Sequence, residues 1–356
     1  MKLIVPELFL KNKTVKFLLE TLGNVTSKVN EGKDRVEDLA ESLLSLQNPA
    51  FRRKLRLELF DKSLPVTFKT LELVSLSRAI DLAERIFLTP DRYEAPEAEK
   101  AFLATGHAFH FEGAEGRKIA AWSWGDGPTV FLVHGWSGRG GQLHHFVQPL
   151  LEGGYSVVLF DAPGHGQTEG EQSTMIEFMQ TVFNAVQSAG PAAAIIAHSM
   201  GAPAVALAVK QGLTVPKLIF IAPPVGPAEF SREFASYYGL SEKIRSGLQK
   251  RLEKKQQVKW KDLNLTDVVK TLTSRILVIH DREDRDVSYK TGEKVAKAAQ
   301  DSELFLTRGL GHRRILKSPE VIARTVRFIS SEAGGAAKPA AARQARKSPK
   351  TTDRTS

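Results

Sequence analysis

The chain has 356 residues, no cysteine and a formal net charge of +10. That length holds one large α/β domain with extra helices, or two domains, and the lack of cysteine excludes disulfides, a thiolate nucleophile and cysteine-ligated metal sites. Half of the charge excess sits in residues 333–356, where six basic residues face Asp353 alone, a net +5. This Ala/Pro/Ser/Thr-rich stretch has no apolar periodicity and reads as a disordered basic tail, so no nucleic-acid partner is expected.

In chain order, the opening Met1–Lys11 is not expected to act as a signal peptide, because Pro6 and Glu7 break its apolar run and no small-residue cleavage site follows. No window approaches a membrane span in length, and the expected location is cytoplasmic. Residues 1–90 form an N-terminal helical region. Val36, Leu39, Ala40, Leu43 and Leu44 recur at helical spacing, as do Leu76, Ala79, Ile80, Ala83, Ile86 and Phe87. The plain expectation is helices packed on the following domain or on a dimer partner. Lys11, Lys13, Lys16, Arg52, Arg53, Lys54 and Arg56 also permit a peripheral membrane contact. The oligomeric state is not legible.

Residues 91–106, with Pro96 and alternating charges, read as a linker. The pattern then changes. Phe109–Phe111 and Ile119–Trp124 flank a turn, as in a hairpin. Beyond them, strands are expected at 129–134, 156–161, 193–198, 217–222, 275–280 and 302–307. Helices are expected at 174–188, 200–210, 290–300 and 319–331. Such alternation implies a mostly parallel sheet with helices on both faces, binding ligands at the carboxyl ends of its strands. Between about 225 and 273 the alternation gives way to helices at 241–255 and 263–272, read as a cap over the site. Its basic residues, Lys243, Arg245, Lys250, Arg251, Lys254, Lys255, Lys259 and Lys261, read as a solvated face.

Ala192–His198 is a buried strand ending abruptly at Ser199, and a helix begins just after it. Strand, tight turn with serine at the apex, helix: this is the context of a nucleophile elbow. The strained turn demands small residues two positions either side, here Ala197 and Gly201. A serine nucleophile needs a base and an orienting carboxylate. Of nine histidines only His280 and His312 lie beyond Ser199. His280 ends a strand, whereas His312 follows the last strand on a Gly-rich loop and is the candidate base. Asp281, Glu283, Asp284 and Asp286 are the candidate acids. Asp284 is preferred for its reach, with Asp281 better placed to hold its own loop. Two backbone N–H groups must face the oxyanion, and those of Met200 and Trp136 are the candidates. The Gly138–Gly141 run lacks the spacing of a phosphate loop or dinucleotide fingerprint.

Taken together, His134-Gly-Trp136, Asp161-Ala-Pro-Gly-His-Gly166, Ala197-His-Ser-Met-Gly201, Asp284 with Val287, and Gly311-His312 resemble the α/β-hydrolase superfamily. Within it they resemble the bacterial esterase, lipase and serine-peptidase-like members. The match spans roughly 105–332, with the hydrolase domain expected at 107–332. The resemblance implies an α/β-hydrolase fold with a helical cap and a largely structural Asp161–Gly166 turn, leaving His165 and His198 outside the catalytic set. The expected activity is a serine carboxylesterase forming an acyl-enzyme on a small-molecule acyl substrate, with no metal or organic cofactor. An acyltransferase or a serine peptidase would use the same triad, and a non-catalytic binding protein is the alternative from another class.

Overall fold

The computed structural model describes residues 63–331. The expectations for residues 36–44, for the basic residues from Lys11 to Arg56 and for the tail lie outside the described residues. The chain divides into two compact units, Met1–Thr70 and Leu71–Ser356. Of the first, residues 63–70 are described, and they are helical. Among the described residues no helix is long and apolar enough to cross a membrane.

The second unit begins with helical residues 71–74, followed by helix α1 (Leu76–Leu88), capped by the Ser75 hydroxyl, which accepts from the Arg78 N–H. Its apolar stripe buries Ala79, Ile80, Ala83 and Phe87. Helix α2 (Glu97–Leu103) follows, inside the stretch expected to be a linker. Then come β1 (His107–Glu112), β2 (Lys118–Trp124), β3 (Thr129–Val133), α3 (Val147–Glu152), β4 (Ser156–Phe160) and α4 (Met175–Ala189). A reciprocal pair of bonds between Thr174 and Glu177 starts α4: the Thr174 hydroxyl accepts from Glu177 N–H, and Thr174 N–H donates to the Glu177 carboxylate. The chain continues through β5 (Ala192–His198), α5 (Gly201–Lys210), β6 (Lys217–Ile221), α6 (Pro227–Tyr238), α7 (Glu242–Gln256), α8 (Leu265–Val268) and β7 (Arg275–Asp281). It closes with α9 (Tyr289–Ala298), β8 (Ser302–Thr307), the single turn α10 (Gly311–Arg314) and α11 (Pro319–Ser330).

The eight strands form one sheet in the order β1-β2-β4-β3-β5-β6-β7-β8. The β1–β2 and β2–β4 pairs are antiparallel, and the remaining pairs, from β4 through β3 to β8, are parallel. The central strands are apolar along most of their length because both faces are covered. Val130, Leu132, Leu159, Ile196, Ile219 and Leu277 share one core with Leu143, Phe146, Leu150, Val321 and Phe328, beneath α3 and α11. Helices α4 and α5 pack on the other face. The sheet buries a continuous row of Val, Leu, Ile and Phe side chains, each worth about 1.5–3 kcal/mol on transfer from water.

Two local expectations differ. The helix expected over 263–272 is broken into turns at Trp260–Leu263, Leu265–Val268 and Val269–Thr271. Asn264 makes the break, since its side chain accepts from the Thr266 N–H at 2.9 Å and so caps a new turn. The basic face of the insertion is also partly engaged, because Arg251 pairs with Asp81 and Lys255 with Glu84, both on α1.

Candidate active site

Strand register sets the site. Val133 on β3 pairs with Ala197 on β5, so the chain leaves the sheet side by side at Gly135 and Ser199. A Cβ on Gly135 would lie 2.8 Å from Ser199 Cβ, and one on Gly201 would lie 2.6 Å from the His134 carbonyl oxygen. Both glycines are therefore required by close approach. Ser199 itself has φ 49°, a left-handed conformation that costs a non-glycine residue about 1–3 kcal/mol and is tolerated where the surroundings over-determine it. Here the Ser199 N–H donates to Ile221 O at 2.9 Å, and Ser199 O accepts from Ala202 N–H at 2.9 Å.

On the next strands, Asp281 of β7 pairs with Thr307 of β8, which sets the loops carrying Asp284 and His312 next to each other. His312 Nδ1 lies 2.8 Å from Asp284 Oδ2. The other carboxylate oxygen of Asp284 accepts from the N–H groups of Asp286 and Val287, both at 2.9 Å. The Asp284 side chain is inaccessible to solvent. Burial alone would push its pKa up, but hydrogen bonds from His280 and His312 and the Val287 N–H outweigh it and hold the carboxyl well below the usual range. With Nδ1–H donated to a carboxylate, His312 carries its lone pair on Nε2.

Asp281, the other candidate considered, sits in a different set of bonds. Its oxygens accept from Glu283 N–H at 2.9 Å, Thr307 hydroxyl at 2.8 Å and Leu310 N–H at 3.0 Å. It ties the 281–284 turn to the loop leading to His312.

Ser199, His312, Trp136 and Met200 line one cavity of about 1040 Å³. Among the described residues, no hydrogen bond joins the Ser199 hydroxyl to His312, and neither the Trp136 nor the Met200 N–H donates to a protein acceptor.

Three other histidines hold the frame. His134 Nδ1 faces Gly135 O at 2.7 Å, and its Nε2 accepts from Ala162 N–H at 3.0 Å. His165 Nδ1 faces Pro163 O at 2.8 Å, and its Nε2 accepts from Ser137 N–H at 3.1 Å. His198 Nε2 reaches His312 O at 3.0 Å. Burial drives His134 down to about 4 and His165 and His198 down to about 3. They stay neutral at pH 7. Asp161 accepts from Gly140 N–H at 2.7 Å and Gln167 N–H at 2.8 Å, which accounts for the glycine run without any phosphate.

Sequence reasoning missed three contributors. His280, set aside for its position, places Nε2 3.0 Å from Val287 O and 3.4 Å from Asp284 Oδ2. Arg92 donates to the carbonyls of Gly164, Thr168 and Gly170 at 2.6–2.8 Å, and Glu99 on α2 forms a two-pronged pair with Arg139. The supposed linker thus straps the 135–141 loop and the 161–170 turn. Its alternating charges were the available signal, although they are read most simply as solvated.

A family profile described as serine aminopeptidase, S33, matches residues 127–268. A pimeloyl-[acyl-carrier protein] methyl ester esterase of Stenotrophomonas maltophilia is 31% identical over 133 residues, covering 32% of this chain and 49% of that protein. The dihydrolipoyllysine-residue acetyltransferase component of the acetoin cleaving system of Cupriavidus necator is 28% identical over 150 residues, covering 41% and 39%. The chain thus spans half or less of the length of the curated relatives it matches. Among solved structures, an esterase from Pyrococcus furiosus superposes with TM-score 0.53 at 19% identity, covering 68% of this chain and 98% of the other. Rv0554 from Mycobacterium tuberculosis gives 0.51 at 21%, covering 63% and 100%. The chain has the α/β-hydrolase fold. Ser199 follows β5 at the turn into α5, and the α6–α8 insertion lies between β6 and β7.

Proposed function

We propose that the chain is a serine hydrolase acting on carboxylic esters. Ser199 Oγ attacks the ester carbonyl while His312 Nε2 takes its proton, and Asp284 holds the imidazolium through Nδ1–H. The oxyanion is met by the N–H groups of Trp136 and Met200. Collapse breaks the bond to the alcohol, which leaves with the proton from His312. Water, activated by the same imidazole, then releases the acid and restores the serine. The scheme needs no metal or organic cofactor. The observation that carries it is the buried Asp284–His312 contact of 2.8 Å on a wall shared with a serine held at φ 49°. The esterase named among the relatives supports ester chemistry.

Peptide hydrolysis at the same serine is the second reading, favoured by one observation. Glu229 and Glu233, one turn apart on α6, line the cavity, and burial together with Glu229 pushes the Glu233 carboxyl up. Such a pair would welcome a substrate ammonium group. Fluorophosphonate labelling tests the common core: wild-type protein is expected to label, and Ser199→Ala is expected not to. Absence of labelling in well-folded wild-type protein would favour a binding role instead. Relative turnover of p-nitrophenyl esters and aminoacyl p-nitroanilides then separates the two substrates.

A further inference from the structure

Helix α1 lies outside the 127–268 match, yet its last turn enters the cavity. Phe87 and Leu88 line it together with Phe230, Leu252 and Trp260 of the insertion and the candidate nucleophile Ser199. Four rings meet there. The Phe87 ring centroid is 5.2 Å from that of Phe230 and 5.2 Å from that of Phe234. It stacks on Trp260 at 5.8 Å with planes 18° apart. Offset and edge contacts of this kind fix ring orientation as well as burying area.

The helix is also pinned to the insertion. Arg251 on α7 pairs with Asp81 and lies 3.5 Å from Glu84, and Lys255 pairs with Glu84. Gly247 lets Ile80 against the α7 backbone, since a Cβ there would collide with the Ile80 side chain. Phe87 is therefore a fixed part of the wall.

We propose that Phe87 is a specificity-determining residue. With Phe230 and Trp260 it forms the apolar surface that receives the hydrocarbon part of the substrate, so the favoured class is esters bearing an apolar chain or ring. This rests on the reading of Ser199 as the nucleophile. A helix that merely braced the insertion from outside would affect stability but not choice of chain length.

The test is kcat/KM across p-nitrophenyl esters from acetate to dodecanoate for wild type, Phe87→Ala, Phe87→Leu and Phe230→Ala. Decanoate binding is measured calorimetrically on the same proteins. Truncation at position 87 is expected to change the octanoate-to-acetate ratio by about tenfold or more and to weaken decanoate binding. Removing a buried ring can unseat the helix. Phe87→Leu, which keeps an apolar side chain, and Phe230→Ala, at a ring already 39% exposed, therefore carry the test if Phe87→Ala does not fold. Folded variants with the wild-type ratio and wild-type decanoate affinity overturn the proposal. Hydrolysis of none of the esters by wild type overturns the Ser199 reading instead. The wall is then judged on decanoate alone, where no binding, or equal binding by all variants, ends it.

Discussion

At the carboxyl edge of the sheet the ionic contacts are dry, whereas in the roof of α1 and α7 they are wet. Glu99 and Arg139 keep only 6% and 12% of their side-chain surface accessible, while each roof pair has one solvated member, Asp81 at 60% beside Arg251 at 25% and Lys255 at 62% beside Glu84 at 12%. The difference follows from what each region must hold. The edge fixes atoms of loops, where a small displacement would ruin hydrogen-bond geometry, and a buried bidentate pair does that at a high desolvation cost. The roof needs only to keep an apolar wall in place, and its packing of Phe87, Ile80 and Trp260 supplies most of that.

The sharpest probe of the edge is Asp284→Asn. On the Ser199 reading, kcat should fall by about 10⁴-fold with the fold intact, because an amide no longer fixes the His312 tautomer. Asp281→Asn should instead act on loop order and stability. A drop for Asp281→Asn as large as that for Asp284→Asn, in folded protein, would reverse the assignment of the acid.

A second probe sets edge against roof in stability. Glu99→Ala leaves a buried guanidinium without its carboxylate and should cost about 3–5 kcal/mol. Arg251→Ala loses partly solvated pairs and should cost about 0.2–1 kcal/mol. Urea midpoints measure both, and similar losses would erase the distinction drawn between the regions.

A third probe is acid lability. His134, His165 and His198 ionise near 6.5 when unfolded and at about 4, 3 and 3 when folded. Their contribution is thus complete above pH 6.5. As pH falls below that, the unfolded chain binds protons that the folded one refuses, and stability drops by up to about 1.4 kcal/mol per pH unit for each histidine. Asp284 is shifted in the direction that keeps its contribution until the pH falls below the ordinary carboxylate range. Urea midpoints from pH 7.5 to pH 5 should fall steeply, and His165→Gln should flatten the slope by about one such share. An unchanged slope would show that His165 is not buried neutral.

The same division explains what could be read from the residues. Core strands were legible because every one is a short apolar run bounded by turn residues. Ser199 could be named as a candidate because the turn demands small neighbours in a fixed local order. Asp284 and His312 could be named as candidates because each follows a recognisable strand. Arg92, Glu99 and His280 could not, since their importance comes from carbonyls, a guanidinium and a carboxylate brought near only by the folded sheet. Helix α2 was hidden for the same reason: seven residues rich in charge look solvated until Glu99 finds Arg139.

The Arg92 fork has a practical corollary for anyone trimming this protein. A fragment beginning at residue 107 would look like a tidy catalytic unit by homology. It would nevertheless strip the Gly164, Thr168 and Gly170 carbonyls of their donor and abandon Arg139 without its counter-ion. Any shortened piece therefore has to keep Arg92 and Glu99, and the compact unit that holds them begins at Leu71.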